Sequence, residues 1–266
     1  MDFFHPRVLM QLLTRKPYGI HSPFLYDFAI NCLYADVNRP EFEKLEDLRN
    51  EYKRSKKEIQ VSDFGAGAER QAGRQQGQAA SYGKMVGLIA RRALQKPRYC
   101  RLFHRMARYL NPSSVLELGS SLGISTCYLA MGAPRARVIS LEGCPETASL
   151  ARQTFGRAGL SQIELVTGPF KSTLPGLLKT GLSPDLVYID GDHTYEGLKE
   201  NFFLLYEHIR PGGVVIIDDI RWSRGMWKAW KEIILVREVR LSLDIGPLGI
   251  LFFDKRLSKE NITMGY

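Results

Sequence analysis

The chain has 266 residues, 44% of them hydrophobic, and a formal net charge of +9. That length accommodates one large domain, or a domain with a sizeable extension. No apolar run reaches the ~18 residues of a membrane span, and Met1-Asp2-Phe3-Phe4-His5-Pro6-Arg7 does not read as a secretory signal.

Cys32, Cys100, Cys127 and Cys144 form no Cys-x-x-Cys pair, so the expectation is a cytoplasmic protein with reduced thiols. The basic excess permits an anionic partner, but it is spread along the chain. Its densest cluster, Lys53-Arg54-Ser55-Lys56-Lys57, follows an acidic stretch, and a solvated helix face accounts for both. A nucleic-acid patch is the alternative.

In chain order, helices are expected at 8–13, 24–33, 41–57, 81–94 and 99–110, broken at Pro17-Tyr18-Gly19, Pro40 and Pro97. No convincing run of β-branched residues interrupts them, and residues 62–80, rich in Gly, Ala, Gln and Ser, predict a loop. From Ser114 onward strands and helices alternate. The predicted strands are Ser114–Leu118, Arg137–Glu142, Ile163–Thr167, 186–190 and 214–218. The helices between them are 124–130, Pro145–Ala158, 174–179 and 195–208. This alternation describes a parallel sheet covered on both faces. Segments 239–244 and 249–253 predict a terminal antiparallel pair. The expected division is a helical extension over 1–110 and an α/β domain over 111–266.

The stretch Val115-Leu116-Glu117-Leu118-Gly119-Ser120-Ser121-Leu122-Gly123-Ile124-Ser125 reads as a buried strand, a glycine turn and the start of a helix. The next strand ends on Glu142. Glycines let the backbone approach a ligand, and an acid in that position can hold a ribose diol. A dinucleotide site requires Gly-x-Gly-x-x-Gly. Here the turn is Glu117-x-Gly119-x-x-x-Gly123. A carboxylate before the first glycine repels pyrophosphate and suits a ligand with an ammonium and a sulfonium.

This pair of motifs resembles class I S-adenosylmethionine (SAM) methyltransferases, and the resemblance extends over residues 114–254. It implies a Rossmann-like fold with a mostly parallel seven-stranded sheet, helices on both faces and the helical N-terminal extension. It also implies a cofactor set of Glu117, Gly119, Ser120, Ser121, Ser125, Glu142, Gly143, Gly168, Phe170 and Asp190. Phe170 is expected against adenine, although Gly168-Pro169-Phe170 stands where related enzymes often place an acid.

A second constellation follows. Asp190-Gly191-Asp192-His193-Thr194-Tyr195-Glu196-Gly197 succeeds the fourth strand, and Asp218-Asp219 succeeds the fifth. Ligands of open parallel sheets sit at the carboxyl ends of the strands, and adjacent strands lie about 4.8 Å apart. The three carboxylates Asp190, Asp218 and Asp219 can therefore converge. A protonated member, or a divalent cation with oxygen ligands, would relieve their repulsion.

The pattern is similar to the metal-dependent O-methyltransferases, including the catechol, caffeoyl-CoA and macrocin-type enzymes. The resemblance implies Asp190, Asp218 and Asp219 as ligands of Mg²⁺ or a similar cation, a small-molecule hydroxyl acceptor, and a homodimer as a common assembly. Carboxylates that merely cap turns are the structural alternative. His193, next to Asp190, is the histidine placed to take a proton. A turn histidine bonded locally is its alternative.

Asp185 reads as structural, and Asp192 as a turn residue or a group behind the ligands. Asp63-Phe64-Gly65-Ala66-Gly67-Ala68 imitates a SAM motif without its flanking strands, and reads as a lid or a plain loop. Trp222 can wall an acceptor pocket, whereas Trp227 and Trp230 fit helix packing. His5, His21, His104 and His208 belong to no motif. Two other readings stay open: a metal-free SAM methyltransferase acting on RNA or protein, and a methyltransferase-like binding scaffold.

Overall fold

The computed structural model describes residues 22–37, 39–64 and 80–266. The expected 8–13 helix, His5, His21 and most of the 62–80 stretch lie outside them.

The N-terminal part comprises α1 (Pro23–Phe28), α2 (Pro40–Arg54), β1 (Glu58–Asp63), β2 (Ala80–Met85), α3 (Val86–Arg92) and α4 (Pro97–Leu110). A π-helical turn, Ala29–Leu33, continues α1. Arg105 on α4 donates to the carbonyls of Cys32 and Leu33 there, at 2.7 and 3.0 Å. These bonds satisfy carbonyls that a helix end leaves open.

Two expectations for this region are corrected. Residues 58–63 and 80–85 form an antiparallel hairpin, so the region is not wholly helical and the 81–94 segment is half strand. The strands hide in Glu-Ile-Gln-Val-Ser-Asp and Ala-Ser-Tyr-Gly-Lys-Met, which are short and polar. Ile59 supplies the buried anchor, packing with Tyr52, Val86, Ile89 and Leu150.

The remainder runs β3 (Ser114–Leu118), α5 (Ile124–Gly132), β4 (Arg137–Glu142), α6 (Pro145–Ala158), β5 (Ile163–Thr167), α7 (Phe170–Leu178), β6 (Leu186–Ile189), α8 (Tyr195–Tyr206), β7 (Val214–Ile217), α9 (Arg224–Ile233), β8 (Leu241–Asp244), β9 (Gly249–Phe252) and β10 (Glu260–Thr263). The sheet order is β10-β8-β9-β7-β6-β3-β4-β5. Only β9 runs antiparallel to its neighbours. The predicted strands are all present. The eighth, β10, is a polar edge strand that pairs parallel with β8. The chain order reverses at β3, where β4 and β6 flank it. That switch point opens a crevice at the carboxyl ends of the strands.

Strand period two sorts the core into two layers. Val115, Val138, Leu186, Tyr188, Val214 and Ile216 pack with Leu25, Phe28, Leu102, Phe103 and Met106 of α1 and α4. Leu116, Leu118, Ile139, Leu141, Val187, Ile189, Val215 and Ile217 pack with Leu174, Leu198, Phe202 and Trp230 of α7, α8 and α9. The helices α1 and α4 thus complete one face of the sheet. All four cysteines are free and buried. Among the described residues no helix is long and apolar enough to cross a membrane.

Candidate active site

The strand register sets the site. Leu118 aligns with Leu141 and Ile189, and Ile189 aligns with Ile217. The residues that follow, Gly119, Glu142, Asp190 and Asp218, therefore lie side by side. Backbone hydrogen bonds extend past the strands: Gly119 N donates to Leu141 O at 2.9 Å, Asp190 N to Leu118 O at 2.8 Å, and Asp218 N to Ile189 O at 2.9 Å.

Gly119 has φ +100°, and a Cβ there would lie 2.0 Å from the Asp190 carbonyl oxygen. Only glycine lets the ends of β3 and β6 meet so closely. Ser121 continues the turn at φ +48°. Its backbone N–H donates to Glu142 Oε2 at 2.8 Å, while Cys144 N donates to Oε1 at 2.9 Å. Burial pushes the Glu142 carboxyl up to about 7, against the pull of these backbone donors. A carboxylate offers about four acceptor positions; the Ser121 and Cys144 N–H groups orient Glu142, and acceptor capacity remains for a ligand hydroxyl.

Glu117 is fully buried. Ser125 Oγ donates to its Oε1 at 2.7 Å, and the hydroxyls of Thr126 and Ser140 donate to Oε2. Burial raises its pKa to about 7, with the three hydroxyls opposing the rise. Glu117 thus fastens β3, β4 and α5 beneath the turn. The Ser120 hydroxyl joins this network through Ser140. Ser120 and Ser125 commit their hydroxyls inside the protein, whereas Ser121 acts through its backbone.

Aromatic rings border the crevice. A Cβ on Gly143 would lie 2.9 Å from Phe64, just past β1. A Cβ on Gly191 would lie 2.6 Å from Phe170. Phe170 therefore packs on the loop after Asp190. Gly168 has φ +140° and precedes this helix start.

The second half of the site is crowded with carboxylates. Tyr188 OH donates toward Asp218 Oδ2 at 2.7 Å and toward Asp190 Oδ2 at 3.0 Å. Asp218 is 3% exposed. Its Oδ1 also accepts Asp219 N at 2.8 Å, and its Oδ2 accepts Gln95 Nε2 at 2.5 Å. His193 Nε2 lies 3.5 Å from Asp190 Oδ1.

Burial first, then the fields of Asp190 and Asp219, raise the Asp218 pKa well above its ordinary value. Burial also raises Asp219, against the pull of His193. For His193 burial opposes the charge, but Asp190, with Asp219 and Asp218, prevails and raises it to about 9. Asp192 and Asp219 hold left-handed φ values of +53° and +51°, which Asp tolerates better than most residues.

Among the described residues, no three His, Cys, Asp or Glu side chains are gathered as a group that could hold a metal. The donor chemistry of Asp190, Asp218 and Asp219 nonetheless fits a hard cation: all oxygen, acidic and mutually repelling.

Other sequence expectations find their places. Asp185 accepts from Ser113 and Ser114. Asp192 accepts from the Thr194 hydroxyl at 2.9 Å and sits against Gly197 in the first turn of α8, as a turn residue would. Trp222 is 55% exposed, its ring 6.3 Å from His193. Trp230 is buried. His104 is buried beside Phe42, and burial lowers its pKa to about 4.

Tyr188 and Gln95 were not anticipated. Tyr188 had a signal, because it precedes Asp190 by two and so shares its side of the strand. Gln95 had none.

Residues 116–220 match the model of a family described as a methyltransferase domain. Over 127 residues the chain is 32% identical to a catechol O-methyltransferase of Niastella koreensis, covering 47% of this chain and 57% of that protein. A catechol O-methyltransferase of Mycobacterium tuberculosis is 37% identical over 127 residues, covering 46% and 54%. The chain thus spans about half the length of the curated relatives it matches. A solved O-methyltransferase from Bacillus cereus, in complex with SAH, has a TM-score of 0.56 at 17% identity. That likeness covers 86% of this chain and 96% of that one, and is a likeness of fold.

Proposed function

We propose that this chain, whose residues 116–220 match the methyltransferase-domain family, is a SAM-dependent O-methyltransferase acting on a hydroxyl of a small molecule, assisted by a divalent cation. One observation carries this reading: an oriented acid, Glu142, lies at the same carboxyl end of the sheet as a crowded carboxylate group at Asp190 and Asp218. The catechol O-methyltransferases among its relatives support the choice of oxygen as acceptor.

In this reading Glu142 accepts the ribose hydroxyls, and the Gly119–Ser121 backbone lies against the cofactor. Gly143, Gly168 and Phe170 border the nucleoside. Glu117, with Ser120 and Ser125, holds the turn from below. The acceptor oxygen attacks the methyl carbon in line as the carbon–sulfur bond breaks, releasing S-adenosylhomocysteine. Positioning supplies most of the acceleration.

A divalent cation bound at Asp190, Asp218 and Asp219 would lower the pKa of the acceptor hydroxyl. Raised to about 9, His193 holds its proton at neutral pH. With the charge of the carboxylates offset by a cation, that value would fall and leave the His193 imidazole able to take the acceptor's proton. Asp190 orients that imidazole. Phe64 and Gln95, from the described N-terminal part, border the crevice, and that side selects the acceptor.

The test is calorimetry of S-adenosylhomocysteine into chelator-treated protein, then of Mg²⁺ into wild type and Asp218→Ala/Asp219→Ala, followed by a screen of catechols and vicinal diols. Cofactor binding with a metal heat that the variant loses supports the proposal. Cofactor binding without a metal heat leaves a metal-free methyltransferase, and no cofactor binding leaves a scaffold.

A further inference from the structure

Gln95 lies in the turn between α3 and α4, outside the segment 116–220 that matches the methyltransferase family. We infer that it is a positioning residue of the active centre: it fixes the Asp218 carboxylate, so that the N-terminal region completes the site. The inference rests on the functional reading above, in which Asp218 belongs to that centre.

The amide is held in one orientation. Its Oε1 accepts Lys96 N at 3.0 Å, which turns the Nε2 end to Asp218 Oδ2 at 2.5 Å. The backbone is anchored as well. Gln95 O accepts Arg49 Nη1 at 2.5 Å, and Arg49 Nη2 donates to Cys100 Sγ at 3.3 Å. Arg49, on α2, is 1% exposed and paired with Glu46 at 2.9 Å. A guanidinium stays charged and holds its donors in a rigid fork. A line of fixed contacts therefore runs from α2 through the turn to Asp218.

Asp218 needs this donor. Its Oδ1 is fixed by Asp219 N, but the other donor to Oδ2, the Tyr188 hydroxyl, also faces Asp190. Without Gln95, one hydroxyl hydrogen would serve two acidic groups. Donors behind a ligand carboxylate set its direction, and their loss typically weakens metal binding about 10- to 100-fold.

Two measurements test the inference. The first is a double-mutant cycle of Gln95→Met and Asp218→Ala on the metal-free full chain, read by denaturant unfolding. A real contact makes the double variant's unfolding equilibrium depart from the product of the single effects by about twofold or more. Independent effects overturn the inference.

The second is Mg²⁺ calorimetry with S-adenosylhomocysteine bound, on wild type, Gln95→Met and the shorter Gln95→Asn. Both variants should weaken Mg²⁺ about 10- to 100-fold while cofactor affinity stays within about twofold. Unchanged Mg²⁺ affinity, or an equal loss of cofactor affinity, overturns the positioning role. If wild type binds cofactor but no Mg²⁺, the metal reading of the function fails, and the cycle alone decides the Gln95 contact.

Discussion

The two halves of the crevice handle buried acid differently. In the first, Glu117 and Glu142 are each surrounded by neutral donors: three hydroxyls for one, two backbone N–H groups for the other. In the second, burial and then the fields of Asp190 and Asp219 raise the proton affinity of Asp218, with His193 as the cationic counterweight. The first half is a finished scaffold. The second stores repulsion that a bound ligand can release. The difference teaches which half is built to hold a shape and which to respond to charge.

The largest effect expected is in the scaffold half. Gly119→Ala puts a Cβ 2.0 Å from the Asp190 carbonyl at a φ of +100°. Backbone strain of about 1–3 kcal/mol adds to overpacking of similar size. Denaturant unfolding should show that loss, and cofactor binding should disappear. A variant of near wild-type stability would break the view of this half as rigid.

Next is Asp218→Asn, which separates the halves. It should reduce methyl transfer by about 100-fold or more, on the strength of lost electrostatic positioning. The metal-free protein should be as stable or more so, because a repelling buried charge is removed. Turnover with labelled SAM and a parallel melt provide the check. A strongly destabilised variant would make the second half structural.

Glu142→Gln should weaken S-adenosylhomocysteine by roughly 10-fold or more, since hydrogen bonds to a charged group contribute about 1.5–3 kcal/mol. Calorimetry above pH 8 measures it. Unchanged affinity would remove Glu142 from the cofactor site.

The smallest effect concerns pH. Glu117 has a folded pKa of about 7 against an ordinary 4.5. Between those values the folded state binds the extra proton, so its contribution to stability is full below pH 4.5. It is lost as pH rises to about 7. Glu117→Gln should flatten that slope. Unfolding curves of wild type and variant from pH 4.5 to 8 give the difference directly. Parallel profiles would show that Glu117 stays ionised.

The legibility of the sequence divides along similar lines. The strands β3, β4, β6 and β7 could be read because both their faces are buried, which demands nearly continuous apolar runs. Gly119, Glu142 and Asp190 came with them, because each is tied to the end of a strand. The hairpin β1–β2 could not be read: each strand is polar, and its partner lies beyond the intervening residues 64–79. Glu117 was legible as an acid before a glycine. Its burial under Ser125, Thr126 and Ser140 was not, because those hydroxyls come from two other elements. Gln95 was invisible for the same reason, since its partner is 123 positions away.

Tyr188 has one more consequence. Phe103 packs against its ring at a centroid distance of 4.5 Å, and the side chain is fully buried. The ring is held, but the O–H bond can still rotate, with an acceptor at 3.0 Å on one side and 2.7 Å on the other. A phenol has a single hydrogen to give. Its bearing at any moment is thus a compass needle, pointing to whichever of Asp190 and Asp218 carries more negative charge. One hydrogen atom stands between the two carboxylates, and only one of them can hold it fully.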